Sequence, residues 1–181
     1  MEKVFRYIED HADMYLDWLI EACNQPSVSA QNRGMVEMKE LVKRFLNMIN
    51  VEVEEITTDG YPIIYGELGE GHNKTLTFYN HYDVQPEDPI DHWKSPPFEA
   101  SIREGKIFAR GVADNKGNLI ARICAVHAYQ QIYGKVPINL KFIFEGEEEV
   151  GSPHLEFFAK EHPNKLKTNG IIWEGGSREV E

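Results

Sequence analysis

Short apolar runs alternate along this chain with longer stretches of helical period, and that alternation restricts the fold to helices layered on a sheet. Val4, Ile8, His11, Tyr15, Trp18, Leu19 and Ala22 recur at helical spacing. So do Met35, Met38, Leu41, Val42, Phe45, Met48 and Ile49, which predicts two covering helices. Residues 51–57 and 62–68 read as strands joined by a turn at Asp59-Gly60, and residues 75–80 read as a buried strand ending at His81. Arg103-Glu104-Gly105 between residues 98–102 and 106–109 is a hairpin signal. Residues 115–133 are apolar on most faces and stop at Gly134, which predicts a buried helix with a glycine cap. A strand over 138–145 follows, in which Leu140, Phe142 and Phe144 alternate, then a short helix from about 153 to 160 and a strand over 170–173. Helices that regularly separate apolar strands imply an α/β fold with a largely parallel central sheet flanked by helices.

Composition narrows the partners. The 30 acidic against 19 basic residues give a formal charge of −11, which argues against nucleic acid or an anionic membrane, since phosphate-rich surfaces select the opposite sign. The opening residues carry charges throughout, unlike a signal peptide, and no apolar run approaches the ~18 residues of a membrane span, so a cytoplasmic protein is expected. Cys23 and Cys124 are isolated, each inside a helical pattern, and read as core residues rather than a disulfide.

Four polar clusters lie at the boundaries of these elements: His81-Tyr82-Asp83, Asp114-Asn115, Glu147-Glu148-Glu149 and Trp173-Glu174-Gly175. In open α/β sheets ligands gather beyond the carboxyl ends of the strands, and His81, the glutamate run and Glu174 all follow strand runs directly. Each cluster has an ordinary alternative. A lone His after a strand is usually a partly buried polar residue, Asp114 suits a helix cap, and three glutamates in a row commonly form a solvated loop. Together they are the nitrogen and oxygen donors that zinc accepts, with a carboxylate to spare for a general base, and Asp83 is placed to hold the His81 imidazole. Carboxylates gathered so closely also lead us to expect a raised pKa for at least one of Asp114, Glu148 and Glu149.

At these residues the chain resembles the M20 metallopeptidase family, the co-catalytic zinc amidohydrolases that include dipeptidases, aminoacylases and desuccinylases. The resemblance rests on residues 81–86 (HYDVQP), 95–98 (SPPF), 105–117 (GKIFARGVADNKG) and 145–152 (EGEEEVGS), four separated motifs in order, and spans about residues 5 to 176. It implies that His81 binds a first metal with Asp83 orienting it, that Asp114 bridges two metals across a cis peptide to Asn115, that Glu149 binds the second metal, and that Glu174 completes the first. Glu148 becomes the general base. The implied cofactor is a pair of zinc ions, with cobalt or manganese as substitutes, and the implied substrate is a small peptide or an N-acyl amino acid. Tyr82, Gln85 and the 95–97 segment lean toward the dipeptidases, while a glutamate at 174 also suits deacylases.

A two-zinc site of this kind calls for a second histidine. His127 falls within a predicted helix, and His154 and His162 lie beyond the glutamate run, so each reads as structural or exposed. The resemblance therefore leads us to expect residues 1–181 to form the N-terminal portion of a catalytic domain, without the family's lid and dimerisation domain or its last catalytic segment. The expected behaviour is an incomplete site, inactive alone, with self-association through uncovered surface. A non-catalytic half-domain is the alternative.

Overall fold

In the computed structural model, which describes residues 1–173, five α-helices and seven strands build an α/β layer fold. The elements are α1 (Glu2–Asp10), α2 (Ala12–Asn24), α3 (Met35–Met48), β1 (Glu52–Ile56), β2 (Ile63–Leu68), β3 (Thr75–His81), β4 (Ser101–Arg103), β5 (Lys106–Phe108), α4 (Lys116–Tyr133), β6 (Asn139–Glu145), α5 (Leu155–Glu161) and β7 (Gly170–Ile172). The central sheet runs β1-β2-β6-β3-β7. Its β6-β3-β7 part is parallel, and the β1-β2 hairpin adds to β6 antiparallel.

Strand alternation sorts side chains to the two faces of the sheet. Leu140, Phe142 and Phe144 of β6 enter a large core with Phe78 of β3, Met38, Val42 and Phe45 of α3, and Leu119, Ile120 and Ile123 of α4. Ile143 faces the other way, joining Ile56, Ile63, Tyr65 and Tyr79 in a smaller core that α5 covers with Phe158. Cys23 and Cys124 are buried free thiols in the helical layer. The methionines of α3 act as filler, with Met38 fully buried and Met48 left exposed at its end.

The first predicted helix is broken in two at His11. There the ring Nδ1 lies 2.8 Å from the Tyr7 carbonyl, competing with the backbone N–H that reaches the same oxygen at 3.1 Å, and the imidazole stacks on the Tyr7 ring. Predicted strand 98–102 shortens to Ser101–Arg103, because the segment before it is spent on turns: Glu99 N–H reaches the Pro96 carbonyl, and the Pro97 carbonyl takes Arg110 N–H. The hairpin forms as its residues demand, with φ of 52° at Glu104 and 71° at Gly105, the two left-handed positions of a tight primed turn. Gly134 ends α4 in the left-handed conformation, its N–H on the Gln130 carbonyl. At the sheet edge, Ile171, Ile172 and Trp173 remain exposed among the described residues. No described helix is long and apolar enough to cross a membrane.

Candidate metal centre

His81 is the last residue of β3 and is fully buried. Its Nε2 points at Asp114, 3.0 Å from Oδ1, and its Nδ1 points back at Asp83, 3.1 Å from the carbonyl oxygen and 3.3 Å from Oδ1. Asp114 precedes α4 and is joined to Asn115 by a cis peptide, as the resemblance implies. The cap position belongs to Asn115 rather than to Asp114, and the Asn115 side chain is taken up by Asn80 Nδ2, which donates to its Oδ1. Asn80 in turn accepts from Arg122, whose guanidinium also reaches the carbonyls of Tyr79 and Trp173. The loop bearing Asp114 is thus tied to the strand bearing His81.

The glutamate run divides by role. Glu147 turns away, 7% exposed, with its Oε2 2.7 Å from His154 Nδ1. A Cβ at Gly60 would come within 2.2 Å of that carboxylate, so a larger residue there would require Glu147 to shift. Glu148 and Glu149 open the 3₁₀ turn Glu148–Val150, which follows β6. Glu149 brings a carboxylate oxygen into one group with His81 and Asp114, the three donor atoms lying within 4.8 Å of one another. Glu148 is outside that group, with Oε2 3.8 Å from His81 Nε2. Glu174 lies outside the described residues. Of the remaining histidines, His127 meets the Tyr15 hydroxyl at 2.9 Å in the helical layer, and His162 packs its ring on Phe158.

The electrostatics follow from burial and crowding. Burial, the largest influence on His81, pulls its pKa down, but the hydrogen bond and charge of Asp83, with Glu148 and Asp114, outweigh it and hold the imidazole up to about 9. Burial also raises Glu149, and the Asp114 and Asp83 charges add to it while Gln85 and His81 oppose it. Lys116, fully buried at the start of α4, is pushed down to about 8 by burial, against the Cys23 and Asp83 charges, and donates to the Gln25 carbonyl at 2.5 Å.

Three residues hold these side chains in ways the sequence did not reveal. Gln85 holds Glu149, its backbone N–H 3.2 Å from Oε1 and its Nε2 2.7 Å from Oε2. It stands in the 81–86 motif and leans toward the dipeptidases there, a signal that assigns it no role at the site. Asn80 carries no motif of its own. Ser29 donates to Asp83 Oδ2 at 2.7 Å from 54 residues upstream, a distance over which sequence pattern says nothing.

A one-histidine, two-carboxylate donor set that could hold a metal ion lies beyond the carboxyl ends of parallel strands in an α/β fold, and that is the class of protein to compare. The model of peptidase family M20/M25/M40 matches residues 77–181, and the chain belongs to that family. Human Beta-Ala-His dipeptidase is 34% identical across 92% of this chain and 36% of its own length. Cys-Gly metallodipeptidase dug1 of Schizosaccharomyces pombe is 34% identical across 86% of this chain and 36% of its own length. Among solved structures, the M20 family metallo-carboxypeptidase Sso-CP2 of Sulfolobus solfataricus superposes with a TM-score of 0.84 at 41% identity, covering 90% of this chain and 37% of that one. The chain therefore spans little more than a third of the length of these relatives.

Proposed function

We propose that these residues form the N-terminal part of a two-metal dipeptidase site, in which His81, Asp114 and Glu149 are ligands, Glu174 completes the first metal, Asp83 orients His81 and Glu148 is the general base. The observation that carries this reading is the convergence of the His81, Asp114 and Glu149 donor atoms within 4.8 Å, with the Glu148 carboxylate beside them. Imidazole nitrogen with carboxylate oxygen is a donor set that zinc accepts, and Asp114, with its side chain 69% exposed, has an oxygen free to face a second cation. Bound zinc would supply Lewis acidity, lowering the pKa of a water and polarising the scissile carbonyl.

The chain's own side chains do the rest. Glu148, one-third exposed, can take a proton from an attacking water and return it to the leaving amine. Asp83 keeps a proton on Nδ1 of neutral His81, so that Nε2 presents a lone pair to a cation. Gln85 fixes the Glu149 carboxylate. Small peptides are the favoured substrates because two relatives named for dipeptide hydrolysis match across most of this chain. N-acyl amino acids are the second class.

Two measurements test the reading. The 181-residue chain alone is expected to bind one zinc weakly and to hydrolyse nothing, since the group contains one nitrogen donor among the described residues. Joined to the remainder of an M20 catalytic domain, the same residues should cleave dipeptides in preference to N-acetyl amino acids, and Glu148→Gln should cost about 10²–10⁴ in kcat. Two tight sites and turnover in the isolated chain would refute the incomplete site. Preference for N-acetyl amino acids in the completed enzyme would refute the dipeptidase.

A pH dependence follows from His81. Its folded pKa of about 9 exceeds the ordinary 6.5, so in a chelator the protonated imidazole contributes stability fully below pH 6.5, and that contribution disappears as pH rises through 9. Zinc must displace this proton. Calorimetry at pH 7.5 in buffers of different ionisation heat should show release of about one proton per zinc, and affinity should climb from pH 6.5 to 9. Proton-neutral binding would contradict the assignment of His81 as a ligand.

A further inference from the structure

The buried carboxylate of Asp83 joins stretches of chain that lie far apart in sequence. Oδ1 accepts the Glu148 backbone N–H at 3.2 Å and sits 3.3 Å from His81 Nδ1, while Oδ2 accepts the Glu149 N–H at 3.1 Å and the Ser29 hydroxyl at 2.7 Å. One oxygen thus serves the imidazole and the other anchors to Ser29, and the turn carrying Glu148 and Glu149 hangs from both. A carboxylate held at both oxygens cannot rotate about its terminal bond without breaking these contacts.

Ser29 is itself held. It opens the 3₁₀ turn Ser29–Gln31, is 7% exposed, and its carbonyl lies 3.1 Å from the Tyr61 hydroxyl, whose one proton is shared between it and Asn32 Oδ1 at 3.0 Å. Ser29 supplies the only side-chain hydroxyl shown on Asp83 among the described residues. Ser27, two positions earlier, is just as buried, yet its Oγ has no hydrogen-bond partner among the described residues. Of the two hydroxyls, only that of Ser29 meets Asp83 among the described residues, while the Ser27 carbonyl accepts the Val84 N–H at 2.9 Å.

We propose that Ser29 is a positioning residue for the metal group: by fixing the rotation of the Asp83 carboxylate it sets both the orientation of the His81 imidazole and the placement of the Glu148-Glu149 backbone. It touches neither substrate nor metal and acts through Asp83 alone. The inference rests on the metal-site reading for its consequence, whereas the linkage itself belongs to the metal-free fold.

The test compares the 181-residue chain with its Ser29→Ala, Ser29→Thr and Ser27→Ala variants by ¹H–¹⁵N NMR without metal, then by zinc calorimetry. Ser29→Ala should move the Glu148 and Glu149 amide resonances and the His81 ring nitrogens, and weaken zinc binding about tenfold or more, the usual scale for partners that orient ligands. Ser29→Thr, which keeps the hydroxyl, should restore both readouts, and Ser27→Ala should leave both at their original values. If Ser29→Ala fails to fold, the other two variants still decide: Glu148, Glu149 and His81 signals displaced in folded Ser29→Thr, or displaced in Ser27→Ala, overturn the proposal. Unchanged amide and ring signals in folded Ser29→Ala also overturn it. A parent chain that binds no zinc refutes the metal reading, and the metal-free spectra then judge Ser29 on their own.

Discussion

Replacing His81 with alanine is expected to remove calorimetrically detectable zinc binding from the 181-residue chain, a loss of at least about 100-fold. Substitutions that only disturb a ligand's orientation already cost about 10–100-fold, and His81 is the sole nitrogen donor in the group among the described residues. The two oxygens left behind, from Asp114 and Glu149, keep their negative charge but lose the directional partner that selects zinc over magnesium or calcium. The chain should therefore bind hard cations weakly and with little preference after the change. His81→Ala retaining wild-type zinc affinity would mean that the metal goes elsewhere. Glu147 with His154 would be the first place to look, since they pair at 2.7 Å at the far side of the same turn.

The largest effect on stability is expected at Phe142. Its side chain is fully buried in β6, with its ring centroid 5.6 Å from that of Phe78 and 5.9 Å from that of Phe144. Truncation to alanine should cost about 3–5 kcal/mol through lost transfer energy and the cavity left behind. Against a typical total of about 5–15 kcal/mol, that is enough to populate the unfolded state measurably at moderate temperature. Urea titration should show a lowered midpoint with an unchanged slope. A cost below about 1 kcal/mol would show that the neighbouring rings collapse into the space, and that the sheet is packed less specifically than its burial implies.

How much of this could be read from sequence depends on the range of the interaction concerned. The alternation of Leu140, Phe142 and Phe144 is a local pattern, and it marks both the strand and the side of the sheet it serves. The glycine cap at 134 and the Glu104-Gly105 turn are likewise properties of a few adjacent residues. The break at His11 was hidden because apolar period continues across it, and only a side chain competing for the Tyr7 carbonyl interrupts the helix. Strand order was hidden for a different reason. Helical crossovers predict parallel neighbours, yet nothing local says that the 63–68 strand adds to β6 in the opposite sense. Motif residues announce themselves by type and position, and His81, Asp114 and Glu149, picked out in that way, have donor atoms within 4.8 Å of one another. Ser29 and Asn80 connect to the same group of residues through hydrogen bonds to partners 54 and 35 residues away, where residue type alone carries no signal.

The place of β6 in the sheet has a consequence for how the chain comes to be folded as it is made. β2 and β3 are neighbours in sequence but do not pair with each other, and β6 lies between them, antiparallel to one and parallel to the other. A nascent chain that has emerged only as far as α4 therefore possesses the β1-β2 hairpin and an orphan β3, with Phe78 and both new strand edges open to water. At a synthesis rate of about 5–20 residues per second this interval lasts several seconds, long compared with the collapse of a small chain. Residues 139–145 join the hairpin to β3 when they arrive and bring the turn that carries Glu148 and Glu149 beside His81, and β7 adds to the other edge of β3 last. Until then only the helices that pack on this face in the folded chain are at hand to shield the apolar surface that β6 will complete.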